Sequence, residues 1–66
     1  MRVRFEPGKR SIELRIGGRA RVRDIVQRLG MSLEEVVVLR DGEPLVDVDE
    51  VSDSDEVVVI EVFSVG

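Results

Sequence analysis

The sequence predicts an α+β domain, a mixed sheet of four to five strands with one helix packed across one face. Three observations predict it. Near the N-terminus, "MRVRFEP" and "SIELRI" alternate apolar with charged or polar residues, the period-two signature of half-buried strands. After them, Val22, Ile25, Val26 and Leu29 fall at i, i+3, i+4 and i+7, a single helical stripe. The second half then returns to β-branched runs, with an Asp41-Gly42 hairpin signal between two of them.

In order along the chain, Met1, Val3 and Phe5 face one side of the first strand, and Arg2, Arg4 and Glu6 the other. Pro7-Gly8 breaks it, because Pro presets φ while Gly accepts positive φ. Ile12, Leu14 and Ile16 then point inward from a returning strand, completing an antiparallel hairpin. Gly17-Gly18 ends that strand. The helix begins after Arg19 without a Ser, Thr, Asp or Asn at its start, so its first turn lacks a side-chain cap. It runs about three turns and stops at Gly30. "SLEE", with Ser32 and Glu35 in capping-box spacing, predicts a brief helical turn. "VVVLR" (36–40) and "EPLV" form the second hairpin, with Pro44 confining the latter to a sheet edge. Residues 47–56 make an acidic loop pinned by Val48 or Val51, and "VVVIEVF" has the apolar density of a central strand.

Sixty-six residues make a single domain with a thin core, so function belongs on a surface, an edge or a terminus. Cys and His are both absent. That excludes disulfides, thiolate chemistry, iron–sulfur ligation, most zinc sites and the usual general base. No run approaches a membrane span and no signal-peptide pattern opens the chain, so the expected location is cytoplasmic. Residues 1–33 carry nine basic and three acidic side chains, and residues 34–66 carry one basic and eleven acidic. The two halves are expected to interleave and cancel much of this by pairing. The arginines of the helix region, Arg19, Arg21, Arg23 and Arg28, read as a solvated face paired with nearby carboxylates. Overall acidity and the lack of Trp and Tyr argue against a nucleic-acid partner. "DVDEVSDSDEVV" lacks the Gly and Glu that a calcium loop needs at its sixth and twelfth positions. No Asn, one Gln and a preponderance of Arg over Lys fit a thermophilic source.

Two segments carry a family resemblance. "VRDIVQRLGMSLEEVVVLRDGEPL" and "DSDEVVVIEVFSVG" resemble the helix, glycine stop, hairpin and terminal strand of the MoaD/ThiS-like sulfur carriers and the small archaeal ubiquitin-like modifiers, which share the β-grasp (ubiquitin-like) fold. The resemblance covers essentially the whole chain. It implies that the Gly66 carboxylate is adenylated by an activating enzyme related to the ubiquitin-activating enzymes. The product is then converted to a thiocarboxylate or joined to a lysine, and the residues do not separate these two outcomes. ATP and Mg²⁺ belong to the partner, so this chain binds no cofactor or metal and is a protein co-substrate, not an enzyme. Its other partners would be a sulfur-transfer protein or target lysines. Phe63, Ser64 and Val65 form the flexible tail (63–66) leading to Gly66, and Val58, Ile60 and Val62 are the docking candidates on the open sheet face. The family ends in Gly-Gly, whereas Val65 stands at the penultimate position here, and Ser54 replaces a frequent Gly. Lys9, the only lysine, is the one side-chain acceptor for self-linkage. Two other readings remain: a non-conjugating β-grasp interaction module, and an RNA-associated β-grasp domain.

Overall fold

A computed structural model describes residues 1–62. Seven strands and one helix follow in order: β1 (Arg2–Glu6), β2 (Arg10–Glu13), β3 (Arg19–Arg21), α1 (Val22–Arg28), β4 (Val36–Arg40), β5 (Glu43–Leu45), β6 (Glu50–Ser52) and β7 (Glu56–Glu61). Five of the strands form one sheet in the order β2-β1-β7-β4-β5, and β3 pairs with β6 in a small second sheet. β7 lies at the centre, parallel to β1 and antiparallel to β4, as its apolar density predicts. This is the mixed sheet with one helix across a face that defines the β-grasp topology.

The alternation in the sequence sorts residues between the two faces. Met1, Val3 and Phe5 from the first strand, Val57 and Val59 from β7, and Val36 and Val38 from β4 are buried with Val22, Ile25 and Val26 of the helix. Every member of the helical stripe turns inward, with Leu29 partly buried at its end. The helix closes as the sequence predicts. Gly30 takes φ +74°, its N–H donates to the Gln27 carbonyl at 3.0 Å, and the Met31 N–H donates to the Val26 carbonyl at 3.1 Å. That pair of bonds is a Schellman closure, which requires a left-handed residue at Gly30.

Several expectations are corrected. The helix spans seven residues, about two turns, because residues 19–21 are taken up by β3. The acidic segment is not a plain loop. Val51 is buried within β6, opposite Ala20, whereas Val48 is exposed. Ile12 is 40% exposed although it pairs with buried Val3, because β2 is the sheet's outer strand and the short helix does not reach over it. Ser32 makes a turn and not a helical one: its carbonyl accepts from Glu35 N–H at 2.9 Å and its Oγ from Glu34 N–H at 3.3 Å. In the first hairpin turn, Lys9 and not Gly8 adopts the positive φ.

The 46–55 segment is tied down from both sides. Asp49 and Asp47 carbonyls accept the Val22 and Arg23 N–H groups at 2.9 and 3.0 Å, capping a helix whose own N-cap residue, Arg21, makes no side-chain cap. Arg40 reaches from β4 to the Glu50 carbonyl at 2.9 Å and to Asp55 Oδ2 at 3.3 Å. Asp53 accepts the N–H groups of Ile16, Gly17 and Gly18 at 2.9, 3.1 and 3.0 Å. The Ile16 N–H above all, with that of Gly18, holds the Asp53 carboxyl below its ordinary value; desolvation opposes this, and the nearby Met1 ammonium and the Gly17 N–H add to the lowering.

Candidate functional site: the open sheet face and the strand that leads to the tail

Opposite the helix no layer among the described residues covers the sheet. Register places the open-face residues in rows. Val58 lies between Arg4 of β1 and Leu39 of β4, and Ile60 lies between Glu6 and Val37. Pro44 of β5 extends the first row beyond Leu39. Val58, Ile60 and Leu39 are half-buried by these neighbours, Val37 is 39% exposed and Val62 is 50% exposed. The three residues singled out in sequence therefore form one apolar strip, with two further members, Val37 and Leu39, that sequence reasoning omitted. The signal was present: "VVVLR" alternates with the same period as "VVVIEV", and antiparallel pairing of the two strands puts their outward residues side by side.

Aliphatic stems of long side chains cover little of this strip. Of Arg2, Arg4 and Arg15, only Arg4 neighbours it. Arg2 is paired with Glu13 at 3.1 Å, and Arg15 lies beyond the end of β2, where its carbonyl accepts from Arg28 at 3.2 Å. Arg4 is itself drawn towards Glu6 at 3.8 Å.

At its described end the strip reaches Val62, whose N–H donates to the Glu35 carbonyl at 2.7 Å, continuing the β4–β7 ladder. Because β1 is parallel to β7, with Glu6 beside Ile60, the turn carrying Lys9 lies at the same end of the sheet. Phe63, Ser64, Val65 and Gly66, named from the sequence as tail and reactive end, lie outside the described residues. The central, fully paired position of β7 fixes the direction and starting point of whatever follows it.

A five-stranded mixed sheet, one helix across one face and a central last strand define a ubiquitin-like protein of the β-grasp class. The profile of the small archaeal modifier protein 2 family matches residues 1–63. The chain belongs to that family, and as a modifier protein it is a co-substrate of partner enzymes and not an enzyme itself. No curated protein matches the chain. Among the described residues, no helix is long and apolar enough to cross a membrane.

Proposed function

We propose that the chain works through its C-terminal end: the Gly66 carboxylate is activated by a ubiquitin-activating-type enzyme and then carries sulfur or joins a lysine. The observation that carries this reading is the family match over residues 1–63, combined with a β7 that delivers the chain from the centre of the sheet. A free carboxylate is a poor electrophile. Attack of its oxygen on the α-phosphorus of ATP, releasing pyrophosphate, makes an acyl adenylate whose carbonyl can accept a nucleophile. A hydrosulfide equivalent displaces AMP to give a thiocarboxylate, and a lysine Nζ displaces it to give an isopeptide bond with loss of a proton. Glycine suits the acyl position because it lacks a Cβ and passes a narrow channel. In this reading residues 1–62 form the docking body, residues 63–66 the tail, and Val58, Ile60 and Val62 contact the activating enzyme together with Val37 and Leu39. The strip's apolar surface, which reaches Val62 at the described end of the chain, supports that assignment.

The test is incubation with a cognate activating enzyme, ATP, Mg²⁺ and a sulfur donor, followed by mass spectrometry of the C-terminal peptide. The expected result is an adenylate and then exchange of one oxygen for sulfur, both lost on deletion of Gly66. A V65G variant serves as a control with the usual two-glycine end. Reaction of that control with none of the unsubstituted chain would overturn the proposal.

A further inference from the structure

A second surface is left open on the opposite side of the molecule from β5. The sheet has two outer strands, and they are not equivalent. On β5, Arg40 and Glu43 flank the two-residue turn as a hydrogen-bonded pair, so Leu39–Pro44 is the following non-bonded pair. Pro44 therefore occupies the position whose N–H would face outward, and it has none. On β2 the phase is set by Met1 and Leu14, which bond each other through both backbone groups, Leu14 N–H to Met1 carbonyl at 2.8 Å and Met1 ammonium to Leu14 carbonyl at 2.9 Å. Two residues inward, Val3 and Ile12 are the next bonded pair. Ser11 and Glu13 consequently turn their N–H and carbonyl groups away from the sheet. All four residues of β2 are exposed, and neither Pro nor a bulge blunts this edge.

The helix-side margin of the same edge is apolar in the middle and basic at both ends. Ile12 is exposed, and Leu14 and Ile16 are only partly buried. Lys9 and Arg10 stand at one end, with Arg10 over the Phe5 ring at 5.8 Å. Arg15 and Arg28 stand at the other, joined by the bond from Arg28 to the Arg15 carbonyl. Among the described residues none of these four cations takes part in an ion pair; the pairs present are Met1–Asp53, Arg2–Glu13, Arg4–Glu6, Arg19–Glu50 and Arg40–Asp55.

We propose that the β2 edge is a docking site for an extended segment of a partner protein, apolar at its centre and acidic on its flanks, which adds to the sheet as a sixth strand. Backbone bonds to Ser11 and Glu13 give the register, alternate side chains settle beside Ile12 and Leu14, and the flanking carboxylates meet Arg10 and Lys9 at one end and Arg15 and Arg28 at the other. A second copy of this chain fits poorly, since β2-to-β2 pairing brings the same cations together. Nucleic acid fits less well than a peptide because the shelf offers aliphatic side chains and no exposed ring on which bases could stack. The site uses neither the tail nor the open face, so it stands or falls independently of the activation chemistry.

The probe is a fluorescein-labelled synthetic peptide, Glu-Asp-Val-Ile-Val-Ile-Asp-Glu, titrated with the full chain and followed by anisotropy and by backbone amide NMR. Saturable binding is expected, with slowed exchange of the Ser11 and Glu13 amides and several-fold weakening between 0.1 and 0.5 M NaCl. I12D and the double variant R10E/R28E are each expected to weaken binding at least tenfold, while E43K at the opposite edge leaves it unchanged. R10E/R28E touches only surface charge and keeps the test valid should I12D fail to fold. Four outcomes overturn the proposal: no binding at millimolar protein, equal binding of a peptide with Lys at the acidic positions, shifts confined to Val58 and Ile60, or tight binding of a twenty-nucleotide oligouridine with none of the peptide.

Discussion

Val58 and Val59 are chain neighbours of identical chemistry with opposite roles. Val59 is fully buried at 0% exposure, between Phe5 and Val38 in register. Val58 faces outward between Arg4 and Leu39. Removing two methyl groups from Val59 leaves a cavity in a core with few other residues to relax into it, so V59A is expected to cost about 2 kcal/mol. V58A should cost well under about 1 kcal/mol, as a half-exposed site does, yet weaken engagement of an activating enzyme. Chemical denaturation and the activation assay measure the two separately, and equal destabilisation by both would refute the division of faces. Asp53 shows a different residue-scale effect. The folded carboxyl is held below its ordinary value, first by the Ile16 N–H. A depressed folded pKa means the unfolded chain binds the proton more readily, so stability is complete above the unfolded value and declines as pH falls through the folded one. D53N is expected to be less stable at neutral pH and to lose less on acidification, making its stability-against-pH curve shallower than that of the unsubstituted chain below the carboxylate range. Parallel curves would place the acid sensitivity elsewhere.

At the scale of elements, what was legible was what local chemistry decides. The Asp41-Gly42 turn is the clearest case: φ values of 53° and 79° are the paired left-handed conformations of a two-residue hairpin turn, joining strands at Arg40 and Glu43. A Cβ at Gly42 would meet nothing within 4 Å, so G42A carries a conformational cost without a steric one. About 1 kcal/mol of destabilisation is expected, readable as a shift in denaturation midpoint at unchanged slope. The helix end at Gly30 was equally plain. The helix start was not, because its cap comes from the Asp47 and Asp49 carbonyls more than twenty residues away, and a backbone acceptor has no sequence signature. β3 and β6 escaped for the same reason. Three-residue strands such as "RAR" and "EVS" have no usable period, and only their mutual pairing makes them strands. The outward position of Ile12 was also hidden, since alternation assigns a residue to a face but does not say whether the helix extends over it.

For the whole molecule, pairing was expected to cancel the charge asymmetry between the chain's halves, and it does so only at a few contacts. Between the halves the Met1 ammonium reaches Asp53 at 3.7 Å and Arg19 reaches Glu50 at 3.9 Å, but Arg21, Arg23 and Arg28 of the helix region make no ion pair among the described residues. The expectation of arginines paired with carboxylates thus holds at Arg19 and is corrected for Arg21, Arg23 and Arg28. The helix carries its arginines on the solvent side, while the carboxylates of Asp49, Asp53 and Asp55 are engaged by backbone N–H groups of Val46, of Ile16 to Gly18 and of Ser52. The hairpin and helix thus keep a positive surface on a protein with a net charge of −4.

The same global view separates folding from function along the chain. Among the described residues every buried apolar side chain lies between Met1 and Val59, and Val62 makes the ladder bond nearest the described end. The described core is built from residues 1–59, and removal of residues 63–66 is expected to leave the sheet, the helix and their packing in place. A chain ending at Val62 is expected to unfold within about 2 °C of the full chain, a shift that corresponds to less than about 1 kcal/mol at this size, while losing adenylation altogether. Docking through Val58, Ile60 and Val37 should survive, making the truncated chain a competitive inhibitor of the full chain's activation. Thermal unfolding and an inhibition titration provide the two readouts. A truncation that lowers the melting temperature by ten degrees would instead make the last four residues part of the folded body. One that stays stable but fails to compete would move the docking energy from the open face into the tail.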